Sequence, residues 1–500
     1  MSSQRSREEL RRLALSVLQP GFEGTSAPDW VLRRISEGLR SVVLFSRNIV
    51  SPDQVVRLTG QLRSENPDLI VAIDEEAGDV TRIESATGST RPGPFALGAV
   101  DDVELTESVA ADLGHQLRTA GISLDYAPSA DVNSDPDNPV IGVRAFGAET
   151  GLVSRHTAAW IRGLQSSGVA ACAKHFPGHG DVAVDSHHSL PVYGADVRQI
   201  AAQALPPFRA ALDAGVRAVM TGHLLVPALD PDLPATLSPR ILSGLLREEL
   251  GFDGMIVTDA IEMGAVAERY GADGASVRAL AAGADALCVG GEHAAESYCD
   301  FLTDAVVSAV REGELDEGRL AGAADRVARF ARWSTDLVPG TGARAGIGLV
   351  AARRAVRLTG AVDSALPLRA PAHVVELVPT TSLAIGTETP WGLAEPLTEL
   401  LPGTTSVRVR GEDLAGPDTP LRQLALAPSV GRPLVIVVRD VARHGWMSRA
   451  LAELTAARPD AVLVEMGLPG ATAAGAAQVF THGASAVSGR AGAEALVTAR

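Results

Sequence analysis

The chain has 500 residues, 46% of them apolar and 21% charged, and carries a formal charge of −16. That length exceeds what one hydrophobic core serves, so two domains are expected, and the balance is that of a folded enzyme rather than a disordered chain. The arginines are scattered and form no basic stripe, which argues against a nucleic-acid partner and leaves a small, uncharged or modestly charged ligand.

At the start, Met1 to Gln19 mixes Arg5, Arg7, Arg11 and Arg12 with Glu8 and Glu9, and its apolar run Leu13–Leu18 is too short for the core of an export signal. No stretch reaches the roughly twenty apolar residues of a membrane span. A cytoplasmic protein without a membrane partner is therefore expected. Short apolar runs then alternate with amphipathic stretches, the pattern of β/α units joined into a parallel sheet. Strands are predicted at Leu13–Leu18, Val42–Phe45, Leu69–Ile73, Ser123–Tyr126, Ala170–Ala173, Ala218–Met220, Met255–Val257 and Asp285–Val289. Eight strands close a barrel, and polar residues gather where the runs end, as barrel chemistry requires. They are Arg47 and Asn48, Asp74, Lys174 and His175, His223, and Asp259. The segment Asp131 to Gly147 reads as an ordered functional loop with Arg144 at its business end. Cys172, Cys288 and Cys299 have no metal spacing and read as buried, reduced thiols.

Around Val338 to Gly342 the pattern breaks into a linker, followed by a helix predicted over Leu349–Leu358. Strands are predicted next at His373–Leu377, Ser406–Val409, Pro433–Val438 and Ala461–Glu465, with a helix at Ser448–Ala457. The fold class is thus α/β: a (β/α)8 TIM-like barrel over residues 1–340, a linker and connecting helix over 341–360, and a smaller α/β sandwich over 361–500. Arg439, Asp440 and His444 in the sandwich read as surface or capping residues.

Two places concentrate chemistry. The loop from Lys174 to His188 holds four of the eleven histidines beside Asp181 and Asp185, with Pro177 and the Gly178-His179-Gly180 turn giving it shape. The strand Met255–Val257 runs into Asp259. Cleaving a glycosidic bond with retention needs a nucleophile on one face of the sugar and a proton donor on the other. Asp259 suits the first role and His187 the second, with Asp185 orienting the imidazole. Taken alone, Asp259 reads equally as a helix N-cap. No Gly-rich turn leads into Lys-Ser/Thr, so no nucleotide cradle is expected.

The run Lys174-His175-Phe176-Pro177-Gly178-His179-Gly180, followed by Asp185-Ser186-His187, resembles the signature of glycoside hydrolase family 3, in its bacterial β-N-acetylhexosaminidase branch. Val43 to Asn48, Asp74 to Arg82, Asn138 to Gly147, Met220 to His223 and Gly251 to Gly254 running into Thr258-Asp259 match in the same order. The resemblance implies a retaining exo-β-N-acetylglucosaminidase acting on saccharides derived from the cell wall, with no cofactor and no metal. It implies Asp259 as nucleophile and His187 as acid/base in a dyad with Asp185. It further implies Asp74, Arg82, Arg144, Lys174 and His175 as binders of the terminal N-acetylglucosamine, with Met263 near the sugar. One departure stands out: where the family shows Glu-Gly-Gly-Arg-Val, this chain has Glu76-Ala77-Gly78-Asp79-Val80, so a basic residue becomes acidic.

Three other readings compete. A phosphorylase on the same scaffold would use phosphate instead of water, since a neutral histidine repels phosphate less than a carboxylate does. A metal-dependent amidohydrolase would draw on His175, His179, His187 and Asp185. A sugar-binding relic would have lost turnover through the altered loop at Glu76 to Arg82.

Overall fold

The computed structural model describes all residues except 1–4, 183, 187–188, 292, 337–343, 381–383, 387, 415–420, 471–474 and 499–500. The linker expected around 338–342 lies outside the described residues. By contact the chain divides into two units, one of Met1–Glu76, Thr106–Ile141 and Gly147–Ala345, the other of Ala77–Leu105, Gly142–Phe146 and Gly346–Arg500.

The first unit is a parallel barrel. Its strands are β1 (Leu18–Pro20), β2 (Ser41–Leu44), β3 (Ile70–Ile73), β4 (Leu124–Asp125), β5 (Ala170–Phe176), β6 (Ala218–Thr221), β7 (Met255–Thr258) and β8 (Leu287–Val289). Strands β2 to β7 pair in chain order, and β8 pairs with β1, Leu18 lying opposite Leu287. A parallel bridge between Val257 and Ala286 joins β7 to the start of β8. On the other side the Ser41 hydroxyl donates to the Leu18 carbonyl at 3.0 Å, drawing β2 to β1 and closing the ring.

The expected strand at Leu13–Leu18 is instead mostly helix, Arg7–Ser16, with β1 beginning at Leu18. Ser6 accepts from the Glu9 amide while the Glu9 carboxylate accepts from the Ser6 amide, a reciprocal cap that starts the helix. Leu10 and Ala14, four apart, are buried on one face. The apolar run was the inner stripe of that helix, not a strand of alternating period.

Successive side chains of a strand point to opposite sides, so every second residue faces the barrel axis. The axial core contains Ile70 and Ala72, Ala170 and Cys172, Ala218 and Met220, Met255 and Val257, and Ala286 and Cys288. Continuing three of these series by two residues reaches Asp74 just past β3, Lys174 on β5 and Asp259 just past β7. The pleat that buries the core therefore delivers these three polar side chains to one barrel mouth. Cys172 and Cys288 are free and buried beneath them, and Cys299 is free and buried on the helix Glu296–Glu312.

The second unit is built on six strands, β9 (Arg357–Gly360), β10 (His373–Val378), β11 (Thr405–Arg410), β12 (Leu434–Val438), β13 (Val462–Glu465) and β14 (Ala477–Phe480). Their order is β11-β10-β12-β13-β14-β9, parallel except for β9 at the edge. Val374, Val435, Val437 and Val464 pack on one side with Leu397 and Leu496 from the helices Ala394–Leu400 and Ala486–Thr498. Val375, Leu377, Ile436 and Val438 face the other side, against Met447, Leu451 and Leu454 of the helix Gly445–Ala457. The α/β sandwich is thus present, with two strands beyond the four anticipated. The helix expected to run to Leu358 stops at Ala355, and Leu358 belongs to β9. Three of the four residues of β9 are exposed, so no apolar alternation marked it.

Candidate active site

Lys174 sits 1% exposed at the inward position of β5. Its ammonium lies 2.6 Å from the Asp74 carboxylate and 2.7 Å from Glu76. Burying an ammonium is costly unless it is paired, and two carboxylates from the end of β3 meet that need. No helix begins near Asp74, the next one being Pro94–Val100, so capping does not explain its carboxylate.

The peptide between Lys174 and His175 is cis, and the β5–β6 register shifts between Ala173 and Phe176. His175 Nδ1 lies 2.8 Å from Asp131 Oδ2, and the amides of His175 and His179 both donate to Asp131 Oδ1. Asp131 is fully buried, which by itself pushes its carboxyl pKa up. The charge of His175 and the hydrogen bonds from His175 and His179 outweigh that, and the net pKa is held below the ordinary carboxylate value. His179 is driven the other way: burial first, then neighbouring His175, lower its pKa to about 4, so it is a neutral imidazole. Its Nε2 lies 3.1 Å from the Ser186 hydroxyl. The Ser186 carbonyl in turn accepts from the Ala265 amide, two residues past Met263. A Cβ at Gly180 would come within 1.9 Å of the Val132 carbonyl, so the Gly178-His179-Gly180 turn needs glycine there.

Asp259 follows β7 and is partly exposed. Its amide donates to the Thr221 carbonyl, and its Oδ1 accepts from the Ala260 amide at 2.8 Å. The next helix starts only at Gly264 with Met263 at its cap position, so Asp259 is no N-cap. His223 braces this turn from β6, its Nε2 3.0 Å from the Ala260 carbonyl and its Nδ1 2.8 Å from the Thr236 hydroxyl. Burial pushes the thiols of Cys172 and Cys288 well up, and the negative charges of Asp74 and Asp259 push each of them further. Met263 is 8% exposed.

The predicted residues fall as follows. Asp74, Lys174, His175, Asp185, Asp259 and Met263 belong to the barrel unit, and Asp185 is partly exposed in the loop before Ser186. His187 lies outside the described residues. Arg82 and Arg144 belong to the second unit, where Arg82 donates to the Ala384 carbonyl at 3.0 Å and Arg144 sits buried on the turn Gly142–Arg144. Arg47 and Asn48 are braces rather than ligand groups: Arg47 reaches the carbonyls of Phe22 and Gly291, and Asn48 those of Phe22 and Gly24. Arg439 is not a surface residue; it is 3% exposed and pairs with Asp79 at 2.6 Å. Glu75 and Glu76, which beside Asp74 read from sequence as an exposed acidic cluster, are instead buried, Glu76 against Lys174, and sequence reasoning missed Asp131 and the two bonds of His179. Asp131 lies in the loop beyond β4, past that strand's own polar end Asp125, so the rule that located the others does not reach it. Among the described residues no three His, Cys, Asp or Glu side chains cluster as a metal site. Fitting this, His175 and His179 each spend a ring nitrogen on a protein partner.

Residues 33–330 match the Glycosyl hydrolase family 3 N terminal domain. The chain is 36% identical over 265 residues to Beta-hexosaminidase A of Pseudoalteromonas piscicida, covering 49% of this chain and 44% of that protein. It is 37% identical over 254 residues to Beta-hexosaminidase LpqI of Mycobacterium tuberculosis, covering 49% of this chain and 64% of the relative. The chain thus spans less than two thirds of either curated relative. Among solved structures, a glycoside hydrolase family 3 beta-N-acetylglucosaminidase from Paenibacillus sp. str. FPU-7 is similar at 30% identity and TM-score 0.85, over 98% of this chain and 96% of that one. A beta-glucoside phosphorylase, BglX, shares the fold at 18% identity and TM-score 0.75, over 99% of this chain and 92% of that one.

Proposed function

Because the chain belongs to glycoside hydrolase family 3, we propose that it is a retaining exo-β-N-acetylglucosaminidase that removes terminal N-acetylglucosamine from cell-wall-derived saccharides. The observation that carries this reading is the pleat: the series that buries the barrel core continues into Asp74, Lys174 and Asp259 at one mouth. In this reading Asp259 attacks the anomeric carbon, and the Ala260 amide and the brace from His223 keep its carboxylate aimed. His187, oriented by Asp185, protonates the leaving oxygen and then activates water against the glycosyl-enzyme. Asp74 and Lys174 hold hydroxyls of the sugar, since a carboxylate accepts and an ammonium donates, and His175 and Met263 of the same unit complete the recognition. The substrate is a small saccharide, and no nucleic acid or membrane takes part. Three free, buried thiols support a reducing compartment, the cytoplasm, where recycled wall fragments would be processed.

The test is Asp259→Ala assayed with a chromogenic N-acetyl-β-glucosaminide. Loss of at least about a thousandfold in kcat is expected, whereas turnover like that of the wild type would refute the assignment. Products are weighed with and without inorganic phosphate: free N-acetylglucosamine is the expected product, and sugar 1-phosphate would mark a phosphorylase instead.

A further inference from the structure

Parallel strands all begin on the barrel face opposite the mouth, and there Arg217 directly precedes β6 while Asp253 and Gly254 directly precede β7. A four-residue strand rises about 13 Å, so this face stands well apart from Asp259. The helix Glu317–Asp336 packs against it, and its Arg326, Arg329, Phe330 and Trp333 follow the i, i+3, i+4, i+7 spacing that places side chains on one face. With Arg217 and Phe252 they line a cleft of about 560 Å³ that lies wholly within the first unit. Among the described residues, the guanidiniums of Arg217, Arg326 and Arg329 make no hydrogen bond. Arg326 comes only within 3.7 Å of Asp253 and Asp285, Arg329 only within 3.7 Å of Asp253, and Arg326 Nε is buried without an acceptor. Arg217 lies over the Trp333 ring, 4.8 Å from its centroid.

The nearby carboxylates do not absorb this charge. The Asp253 side chain is 76% exposed, so water screens it, and the fully buried Asp285 already accepts from Arg247 and Arg319. Arg217, Arg247, Arg319, Arg326 and Arg329 together outnumber Asp213, Asp253 and Asp285, a positive patch on a chain of formal charge −16. Burial lowers the Arg247 pKa to about 10, and the like charges of Arg326 and Arg319 push the same way against the pull of Asp285. We propose that this cleft binds a small phosphate monoester, its phosphate held by the forks of Arg326 and Arg329 with Arg217 beside them, and its body laid against Phe252, Phe330 and Trp333. A guanidinium presents paired N–H groups that match phosphate oxygens, and a dianion supplies the acceptors that the protein withholds. The mouth is left open, so this ligand and a saccharide bind at the same time.

Titration calorimetry on the full chain, with inorganic phosphate, glucose 6-phosphate and adenosine 5′-monophosphate as probes, tests this. The two esters separate a sugar body from a planar one. At least one ester is expected to bind about tenfold or more tightly than inorganic phosphate, because only an ester reaches the aromatic side chains. Arg217→Gln and Arg329→Gln alter exposed side chains that the fold does not need, and each should weaken that binding at least about tenfold. Arg311→Gln, which removes the same charge from the helix Glu296–Glu312, should leave it within about twofold, as should Asp259→Ala at the mouth. The proposal is overturned if neither ester binds, if neither binds better than inorganic phosphate, if Arg311→Gln weakens binding as much as Arg329→Gln does, or if Asp259→Ala abolishes it.

Discussion

Replacing Lys174 by Met tests the mouth of the barrel most directly, because the apolar stem is kept and the ammonium that pairs with Asp74 and Glu76 is removed. The ammonium lies between Asp74, whose side chain is 26% exposed, and Glu76, whose side chain is 2% exposed. Water attends the first carboxylate after the change, so the second decides the cost. Removing one member of a buried ion pair costs about 3–5 kcal/mol, since the remaining charge has neither partner nor solvent. For a folded unit of this size each kcal/mol moves Tm by roughly 2 °C, giving an expected fall of about 6–10 °C. Adding Glu76→Gln removes the stranded charge and should return at least half of that loss. Activity should not return, because a charge-assisted hydrogen bond to a sugar hydroxyl is worth about 1.5–3 kcal/mol, or roughly 10–150-fold in kcat/KM. Thermal scans and steady-state assays on the three proteins check this. A Tm within about 2 °C of the wild type for Lys174→Met, or no recovery from Glu76→Gln, would refute the account of a cation held by two carboxylates.

Acid should weaken the protein through His179. Its folded pKa of about 4 lies below the ordinary imidazole value, so the unfolded chain binds that proton first. This contribution to stability is whole above about pH 6.5 and fades as pH falls toward 4, by up to roughly 3 kcal/mol. Urea midpoints at pH 7 and 4.5 for the wild type and His179→Asn should show a smaller acid loss in the variant; identical losses would contradict the assignment. The substitution Gly180→Ala drives a methyl into the Val132 carbonyl, and an overpacking cost of about 1–3 kcal/mol or more is expected, with kcat falling as the loop shifts. A Tm unchanged by that methyl would mean the turn has slack that the structure does not show.

Much of this molecule was legible because its strands announce themselves twice, by apolar runs and by the polar residues that end them. Seven of the eight barrel strands were placed from that signal, and Asp74, Lys174 and Asp259 with them. The failure at Leu13–Leu18 has a local cause: a five- or six-residue apolar run fits a strand and a helix stripe equally, and the reciprocal Ser6 and Glu9 cap was the signal that separated them. Other features depend on contacts that no local pattern encodes. Strand β9 is polar and pairs antiparallel with β14, more than a hundred residues later in the chain. Arg439 looked like a surface residue until Asp79 met it across the fold, and Asp131 looked like a loop aspartate until two histidines closed on it. Charges of that kind declare their meaning only through partners distant in sequence.

The three buried sulfhydryls give the protein a built-in stopwatch. With its pKa raised, none of the three presents the thiolate that an alkylating reagent requires, and Cys299 is pushed up to about 12. Iodoacetamide can modify Cys172 or Cys288 only in molecules whose ring of strands has come apart, and Cys299 only where its helix has lifted away. Mass spectra collected over time would then clock those two openings separately in the unaltered protein, with no probe installed.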